Sequence, residues 1–151
     1  MTVKDIMSQP VVTVPEEALA PEIARVMQER DIGAVVVVDA AGALRGIVTE
    51  SDFTGVGRCV PFSLALAPVV FGARAATMAE IEKIYAMARK LTARQIMSEE
   101  VHTARESEEI GAVVHRMLRR KLKHVPVVRD GKPVGMLARH DVLKLMAEPL
   151  R

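Results

Sequence analysis

Asp141 lies in a part of the sequence that carries several basic side chains. Lys123 and His124 stand directly before a β-branched segment, and Arg139 and His140 stand directly before Asp141. A carboxylate can accept hydrogen bonds from a vicinal diol, and lysine, histidine and arginine can donate to a phosphate. Four donors around one carboxylate therefore favour the binding of a charged ligand. In the alternative interpretation, Lys123 and Arg139 are solvated surface groups and His124 is a hydrogen-bonded residue at a strand end.

The first half of the chain carries a related pair, Thr49 and Asp52, in different surroundings. Gly33 and Ala34 stand before the β-branched segment of this half, and neither side chain can pair with a phosphate. This pair could hold a diol but would bind a phosphate poorly. In the alternative interpretation, Thr49 ends a strand and Asp52 caps the short helix that follows.

Other chemistries have weaker signals in the sequence. A basic stretch on the second long helix could contact nucleic acid, but no known nucleic-acid motif accompanies it, so a solvated helix face is favoured. The four histidines are scattered, so no metal site is predicted, and Cys59 has no catalytic partner in the sequence. No segment resembles a phosphate-binding loop, a nucleophile elbow or an acid–base pair, so we expect no enzyme activity. The basic stretch consists of Arg116, Arg119, Arg120, Lys121 and Lys123.

An internal repeat positions these residues. A shift of 90 residues aligns Ile6-Met7-Ser8 with Ile96-Met97-Ser98, and it aligns Val35, Val37 and Val38 with Val125, Val127 and Val128. One residue is then lost in a turn, and a shift of 89 aligns Gly46 with Gly135 and Asp52 with Asp141. Chance similarity between two apolar stretches would not keep so constant an offset, so the chain is a tandem repeat.

Each copy predicts the element order β-α-β-β-α. The first strand is predicted at Val11–Thr13 or Val101–Thr103, and the two later strands at Val35–Val38 with Leu44–Thr49, or Val125–Val128 with Pro133–Ala138. Apolar residues at helical spacing predict a helix after the first strand, with Pro21 at its first position. The predicted buried faces are Ala20, Ile23, Ala24 and Met27 in copy one, and Ile110, Val113, Val114, Met117 and Leu118 in copy two.

Between the copies lies an insert. Its Gly- and Pro-rich part, Gly55–Gly72, is expected to be an ordered loop, and its second part is expected to be a helix. Thr77 and Glu80 match a capping box, and the apolar stripe of the helix predicts that it packs on this chain or on a partner. We expect the insert to cover a ligand cleft or a dimer edge. The stripe consists of Met78, Ile81, Ile84, Tyr85, Ala88 and Leu91.

Composition and charge narrow the class of protein. Half of the 151 residues are hydrophobic but only 3% are aromatic, so the core must be aliphatic. Residues 1–53 hold four basic and nine acidic side chains, whereas residues 94–151 hold twelve and eight, so an anionic ligand suits the C-terminal half. One cysteine, no predicted signal peptide and no long apolar segment favour a cytoplasmic protein without a membrane span.

The duplicated pattern resembles the CBS (cystathionine-β-synthase) domain, two of which form a Bateman module. The resemblance rests on Asp5-Ile6-Met7 with Gln95-Ile96-Met97, on the segments Ile32–Val38 and Leu122–Val128, and on the closing segments Gly46–Asp52 and Gly135–Asp141. It implies an α/β (α+β) fold in which two pseudo-symmetric repeats pack as one module around two related clefts. The division that follows is repeat 1 at 1–53, an inserted loop and helix at 54–92, and repeat 2 at 93–151.

The resemblance also implies a function. CBS clefts often hold an adenine nucleotide or adenosine derivative, with the closing Asp on the ribose, and the Asp-Ile-Met segment of the opposite copy completes each cleft. We therefore expect a regulatory module that binds AMP, ADP, ATP or S-adenosylmethionine, requires no cofactor and signals to a partner protein. It is expected to form a homodimer through Val142, Leu143, Leu145 and Met146. The alternatives are a ligand-free dimerisation module and a nucleic-acid binder. The expected ligand-binding residues are Asp141, Lys123, His124, Arg139, His140, Thr49, Asp52, Ile6, Met7 and Ile96.

Overall fold

The computed structural model describes residues 1–54 and 78–147 of the chain. Its contacts divide the chain into two units. The repeat-1 unit consists of Thr13–Ala41 and Arg45–Glu100, and the repeat-2 unit consists of Met1–Val12, Gly42–Leu44 and Val101–Arg151. The elements in chain order are α1 Val3–Ile6, β1 Thr13–Pro15, α2 Ala20–Arg30, β2 Ala34–Val38, β3 Leu44–Thr49, α3 Glu50–Thr54, α4 Met78–Ala88, α5 Ala93–Ile96, β4 Ala104–Arg105, α6 Ile110–Arg120, β5 His124–Arg129, β6 Lys132–Ala138, α7 Arg139–Val142 and α8 Lys144–Ala147.

Each unit contains a three-stranded sheet, in the order β1-β2-β3 or β4-β5-β6. The first strand of each sheet runs parallel to the second, with Thr13 opposite Val36 and Ala104 opposite Val127. The β-α-β-β-α order and the mixed α/β class are therefore confirmed. The predicted positions of the two first strands are wrong by two or three residues. An apolar run alone does not reveal the parallel register, which in β1 places Val14 in the core between exposed Thr13 and Pro15.

The long helices cover their sheets with a narrow apolar face. Ala20, Ile23 and Met27 of α2 are buried, as are their counterparts Ile110, Val113 and Met117 of α6. The predicted buried face of each helix included one residue too many, because Ala24 of α2 and Leu118 of α6 are exposed. Pro21 is the second residue of α2 rather than the first, because Leu19 is the N-cap residue. A proline is equally compatible with that position, since the first four N–H groups of a helix have no intrahelical partner.

Each unit also contains the short helix that begins the other repeat. The amide of Val3 in α1 donates to the Glu108 carbonyl at 3.0 Å, so the N-terminal segment belongs to the repeat-2 unit. The amide of Ala93 in α5 donates to the Ala18 carbonyl at 2.7 Å within the repeat-1 unit. The side chains that follow these two helices in sequence are therefore placed against the closing strand of the opposite repeat.

The predicted insert helix is present as α4. Ala88 is buried near its end, and the Tyr85 hydroxyl donates to the Phe53 carbonyl at 3.2 Å, so α4 contacts the end of α3. The predicted capping box of Thr77 with Glu80 and the predicted loop Gly55–Gly72 lie outside the described residues, as do the side chains of Met78, Ile81 and Ile84. The role expected for the insert stays a prediction.

Candidate functional site

In each unit the candidate site lies where the closing strand passes into a short helix. β6 ends at Ala138, and Asp141 is the third residue of α7. The Asp141 carboxylate turns back and accepts a hydrogen bond from the Ala138 amide at 2.8 Å, which satisfies a free N–H group at the helix start. Asp141 is only 3% exposed. Capping therefore draws the carboxylate inward.

The other oxygen of Asp141 has two partners that sequence reasoning missed. The Ser8 hydroxyl donates to Oδ1 at 2.9 Å, and the Lys144 ammonium lies 2.8 Å from the same atom. Lys144 also donates to the Ile6 carbonyl at 3.3 Å, so one cation links the N-terminal segment to the closing turn. The spacing of Lys144 three residues after Asp141 was a usable signal for this pair. Ser8 gave no such signal, because its contact depends on the tertiary position of α1.

The predicted basic residues of repeat 2 meet at one end of the sheet. His124 begins β5 and lies opposite Ala138, the last residue of β6. The Arg139 amide donates to the Lys123 carbonyl at 3.1 Å, which fixes the two chain segments side by side. Lys123, Arg139 and His140 are exposed and His124 is half-buried. We call these four residues the basic corner.

The repeat-1 unit has the same turn with different chemistry around it. The Thr49 amide donates to Asp52 Oδ2 at 2.8 Å, and the Thr49 and Ser51 hydroxyl oxygens lie 2.8 Å apart. Asp52 is 5% exposed. Burial raises the pKa of the Asp52 carboxyl, and the hydrogen bonds from Thr49 oppose that rise only in part. Glu50 stands where repeat 2 has Arg139, and its amide donates to the Gly33 carbonyl at 3.1 Å.

The apolar side chains next to each closing turn come from the segment that begins the other repeat, which we call the exchanged segment. Ile6 and Met7 are buried in the repeat-2 unit, and Ile96 is buried in the repeat-1 unit. Met7 covers Gly135 so closely that a Cβ atom at that glycine would lie 2.6 Å from the Met7 sulfur. Met97 covers Gly46 at the same distance. Each closing-strand glycine therefore lies in close contact with the methionine thioether that covers it.

The predicted site residues thus separate into two groups. Asp141, the basic corner, Ile6 and Met7 belong to the repeat-2 unit, whereas Thr49, Asp52 and Ile96 belong to the repeat-1 unit. Whether any of these residues binds a ligand stays a prediction.

The basic stretch of α6 forms a separate surface. A groove of about 450 Å³ is lined by His115, Arg116, Arg119 and Arg120. Arg116 is held by Glu108 at 3.2 Å and by the Thr103 carbonyl at 3.1 Å, so it serves the fold of this unit. Among residues 1–54 and 78–147, no cluster of histidine, cysteine, aspartate or glutamate has the geometry of a metal site. None of the helices in those ranges has the length and apolarity needed to cross a bilayer.

Comparison with known proteins agrees with this architecture. The CBS domain family model matches residues 3–57 and 93–148. The CBS domain of a CBS-domain-containing membrane protein from Sphaerobacter thermophilus is 40% identical, with a TM-score of 0.72 over 96% of this chain and 87% of that one. The CBS domain pair of protein MJ0100, crystallised with 5′-methylthioadenosine and S-adenosyl-L-methionine, is 27% identical, with a TM-score of 0.72 over 97% of this chain and 96% of that one.

Curated sequences extend the same resemblance to longer proteins. The L-aspartate semialdehyde sulfurtransferase of Methanocaldococcus jannaschii is 28% identical over 95% of this chain, but the match covers only 23% of that enzyme. The uncharacterized protein MK0525 of Methanopyrus kandleri is also 28% identical over 96% of this chain, and the match covers 62% of its length. The chain therefore spans less than two thirds of these relatives. Two family matches, two equivalent sheets and two buried closing-turn carboxylates lead to one conclusion: the chain belongs to the CBS domain family and carries a tandem pair of these domains.

Proposed function

We propose that this CBS pair is a regulatory module without catalytic activity that binds an adenosine derivative at the closing turn of a repeat. The observation that carries the proposal is the buried Asp141, which accepts a hydrogen bond from Ser8 of the N-terminal segment and directly follows Arg139 and His140 of the basic corner. An adenosine derivative needs an apolar surface for its base, an acceptor for its ribose hydroxyls and cations for any phosphate. The CBS pair of MJ0100, at 27% identity, holds two adenosine derivatives.

The repeat-2 site is the better candidate for a nucleotide. Asp141 Oδ2 receives one hydrogen bond, from the Ala138 amide, so this oxygen keeps acceptor capacity for a ribose hydroxyl. Lys123 and Arg139 are exposed and can turn toward a phosphate of AMP, ADP or ATP. Asp52 and Thr49 offer the repeat-1 site a ribose acceptor and a hydroxyl, but Gly33 and Ala34 offer a phosphate no side-chain donor.

The response is passed to a partner protein in the cytoplasm, and the module acts as a homodimer. Among the four apolar residues expected at the dimer contact, Val142 and Leu145 pack against the core of the repeat-2 unit, whereas Leu143 is 61% and Met146 86% exposed. A dimer contact on this face is therefore centred on Leu143 and Met146. The division into repeat 1, insert and repeat 2 describes the sequence, while each folded unit combines segments of both repeats.

Thermal unfolding with and without ligand tests the proposal. AMP or ATP at a hundredfold excess over its dissociation constant should stabilise the protein by about 2.7 kcal/mol. Lys123→Ala should weaken AMP more than adenosine, because only the phosphate contact is lost. Lys132→Ala, at an exposed lysine that begins β6, is the matched control and should change neither affinity. If no adenosine compound shifts the melting curve at millimolar concentration, a ligand-free dimerisation module becomes the better account.

A further inference from the structure

Lys144 belongs to the candidate site of repeat 2, and the equivalent position of repeat 1 carries no charged side chain. Its ammonium touches Asp141 Oδ1 at 2.8 Å and the Ile6 carbonyl at 3.3 Å. An ammonium has three N–H donors, so these two contacts leave one for a further acceptor. The Lys144 side chain is 48% exposed, so this donor is accessible from the solvent. In the repeat alignment, the residue equivalent to Lys144 is Gly55, which has no side chain.

The contact changes the charge that Asp141 presents to a ligand. A ribose hydroxyl that donates to Asp141 Oδ2 must lie within hydrogen-bond distance of it, and therefore only a few ångströms from the Lys144 ammonium. The ammonium compensates the carboxylate, and the basic corner adds the charges of Lys123 and Arg139. A ligand at this turn therefore meets net positive charge. An anion is attracted there, while a cation is repelled.

At the equivalent turn of the repeat-1 unit, the described side chains carry the opposite net charge. Among the described residues, the hydrogen bonds to the Asp52 carboxylate come from Thr49, and no cation contributes to its pKa. Glu50, next in the chain after Thr49, is exposed and adds a second negative charge. Gly33 and Ala34 stand at the positions of Lys123 and His124. The described residues at this turn, Asp52 and Glu50, therefore present net negative charge to a ligand.

We propose that Lys144 is a specificity-determining residue that makes the repeat-2 site selective for anionic adenosine ligands, whereas the repeat-1 site accepts uncharged or cationic ones. This inference rests on the proposed function and assigns a class of ligand to each turn. AMP represents the anionic class, 5′-methylthioadenosine the uncharged class, and S-adenosylmethionine, with its sulfonium, the cationic class. The two sites of one chain thus respond to different metabolites by charge.

Methionine methyl groups allow the two sites to be observed separately. Met7 lies in the repeat-2 unit and Met97 in the repeat-1 unit, each against the glycine of its closing strand. In protein labelled with ¹³C at the methionine methyl groups, AMP should shift the Met7 signal at lower concentration than the Met97 signal. S-adenosylmethionine should shift the Met97 signal first. Assignment follows from Met7→Leu and Met97→Leu variants, each of which removes one signal.

Lys144→Met removes the charge and keeps much of the length of the side chain. It should weaken AMP at the Met7 site about tenfold, the effect of losing one hydrogen bond from a charged donor, and leave 5′-methylthioadenosine within about twofold. Ser8→Ala is the matched control, because it removes the other partner of Asp141 Oδ1 without changing any charge. Ser8→Ala should leave the ratio of the two affinities unchanged.

The outcomes separate this inference from the proposed function. If Lys144→Met weakens AMP and 5′-methylthioadenosine equally, Lys144 acts only in folding and the charge assignment is wrong, while the proposed function stands. If AMP shifts Met97 before Met7 in the unsubstituted protein, the assignment of sites is also overturned. If none of the three compounds shifts either signal, the proposed function fails and this inference fails with it.

Discussion

Asp52 and Asp141 occupy the same position in two copies of one turn, yet their surroundings differ in charge. Each carboxylate caps the short helix after a closing strand at 2.8 Å from a backbone amide. Asp141 additionally binds the Lys144 ammonium and the Ser8 hydroxyl, whereas the hydrogen bonds to Asp52 come from Thr49. The fold therefore needs only the cap. The residues around the cap differ between the two repeats, and we propose that this difference determines which ligands each turn binds.

Substituting the two turn carboxylates by alanine should give the largest difference in stability between the repeats. Asp141→Ala removes the cap, the hydrogen bond from Ser8 and the partner of Lys144, so it should lower the free energy of unfolding by about 2–3 kcal/mol. Asp52→Ala removes a cap but also relieves the desolvation of a buried carboxylate, so its cost should be about 1 kcal/mol or less. Urea unfolding of the unliganded protein measures both values. Equal costs for the two variants would show that Ser8 and Lys144 contribute nothing to the stability of repeat 2.

Alanine substitution of the two closing-strand glycines should give a smaller difference in stability. A Cβ atom at Gly46 would lie 2.9 Å from the Ser98 carbonyl oxygen as well as 2.6 Å from the Met97 sulfur. At Gly135 the backbone oxygen of Ser8 lies 3.1 Å away, and the closest atom is the flexible thioether of Met7. Gly46→Ala should therefore cost about 1–3 kcal/mol and Gly135→Ala less than about 1 kcal/mol. Urea unfolding provides the measurement, and a larger cost at Gly135 would contradict the difference in packing.

Local patterns in the sequence located the long helices and the middle strands, but not the exact position of the first strands or all of the site. Helical spacing located α2 and α6, and β-branched runs located β2 and β5, because these signals depend on residues close in the chain. The turn carboxylates were found through the repeat. The Ser8 contact with Asp141 joins residues 133 positions apart, and no local pattern encodes such a pair. The exposure of Leu118 was missed for the same reason, since helical spacing does not determine how wide a face the neighbouring sheet covers.

The smallest expected effect is the change of stability with pH. The slope that comes from Asp52 in repeat 1 should have the opposite sign to the slope that comes from Glu106 in repeat 2. Burial raises the pKa of Asp52 in the folded protein above its ordinary value of 3.8. As the pH rises past that value, the unfolded chain loses the Asp52 proton before the folded chain does, so stability falls until the pH exceeds the folded-state pKa. Asp52→Asn lacks this titration. The stability of the unsubstituted protein relative to Asp52→Asn should therefore decrease across that window.

Glu106 in the repeat-2 unit provides the opposite case. Hydrogen bonds from Arg129, at 2.7 Å to each carboxylate oxygen, lower the Glu106 pKa below its ordinary value of 4.5. The folded protein therefore holds the Glu106 proton less tightly than the unfolded chain, and stability is gained as the pH rises through the window below 4.5. Thermal unfolding of Glu106→Gln and Asp52→Asn between pH 3 and pH 7 compares the two carboxyl groups. Because both differences are taken against the same protein, titrations common to all three chains cancel. Slopes of the same sign would show that burial at Asp52 does not outweigh its hydrogen bonds from Thr49, and the charge contrast between the two turns would then rest on Lys144 and the basic corner alone.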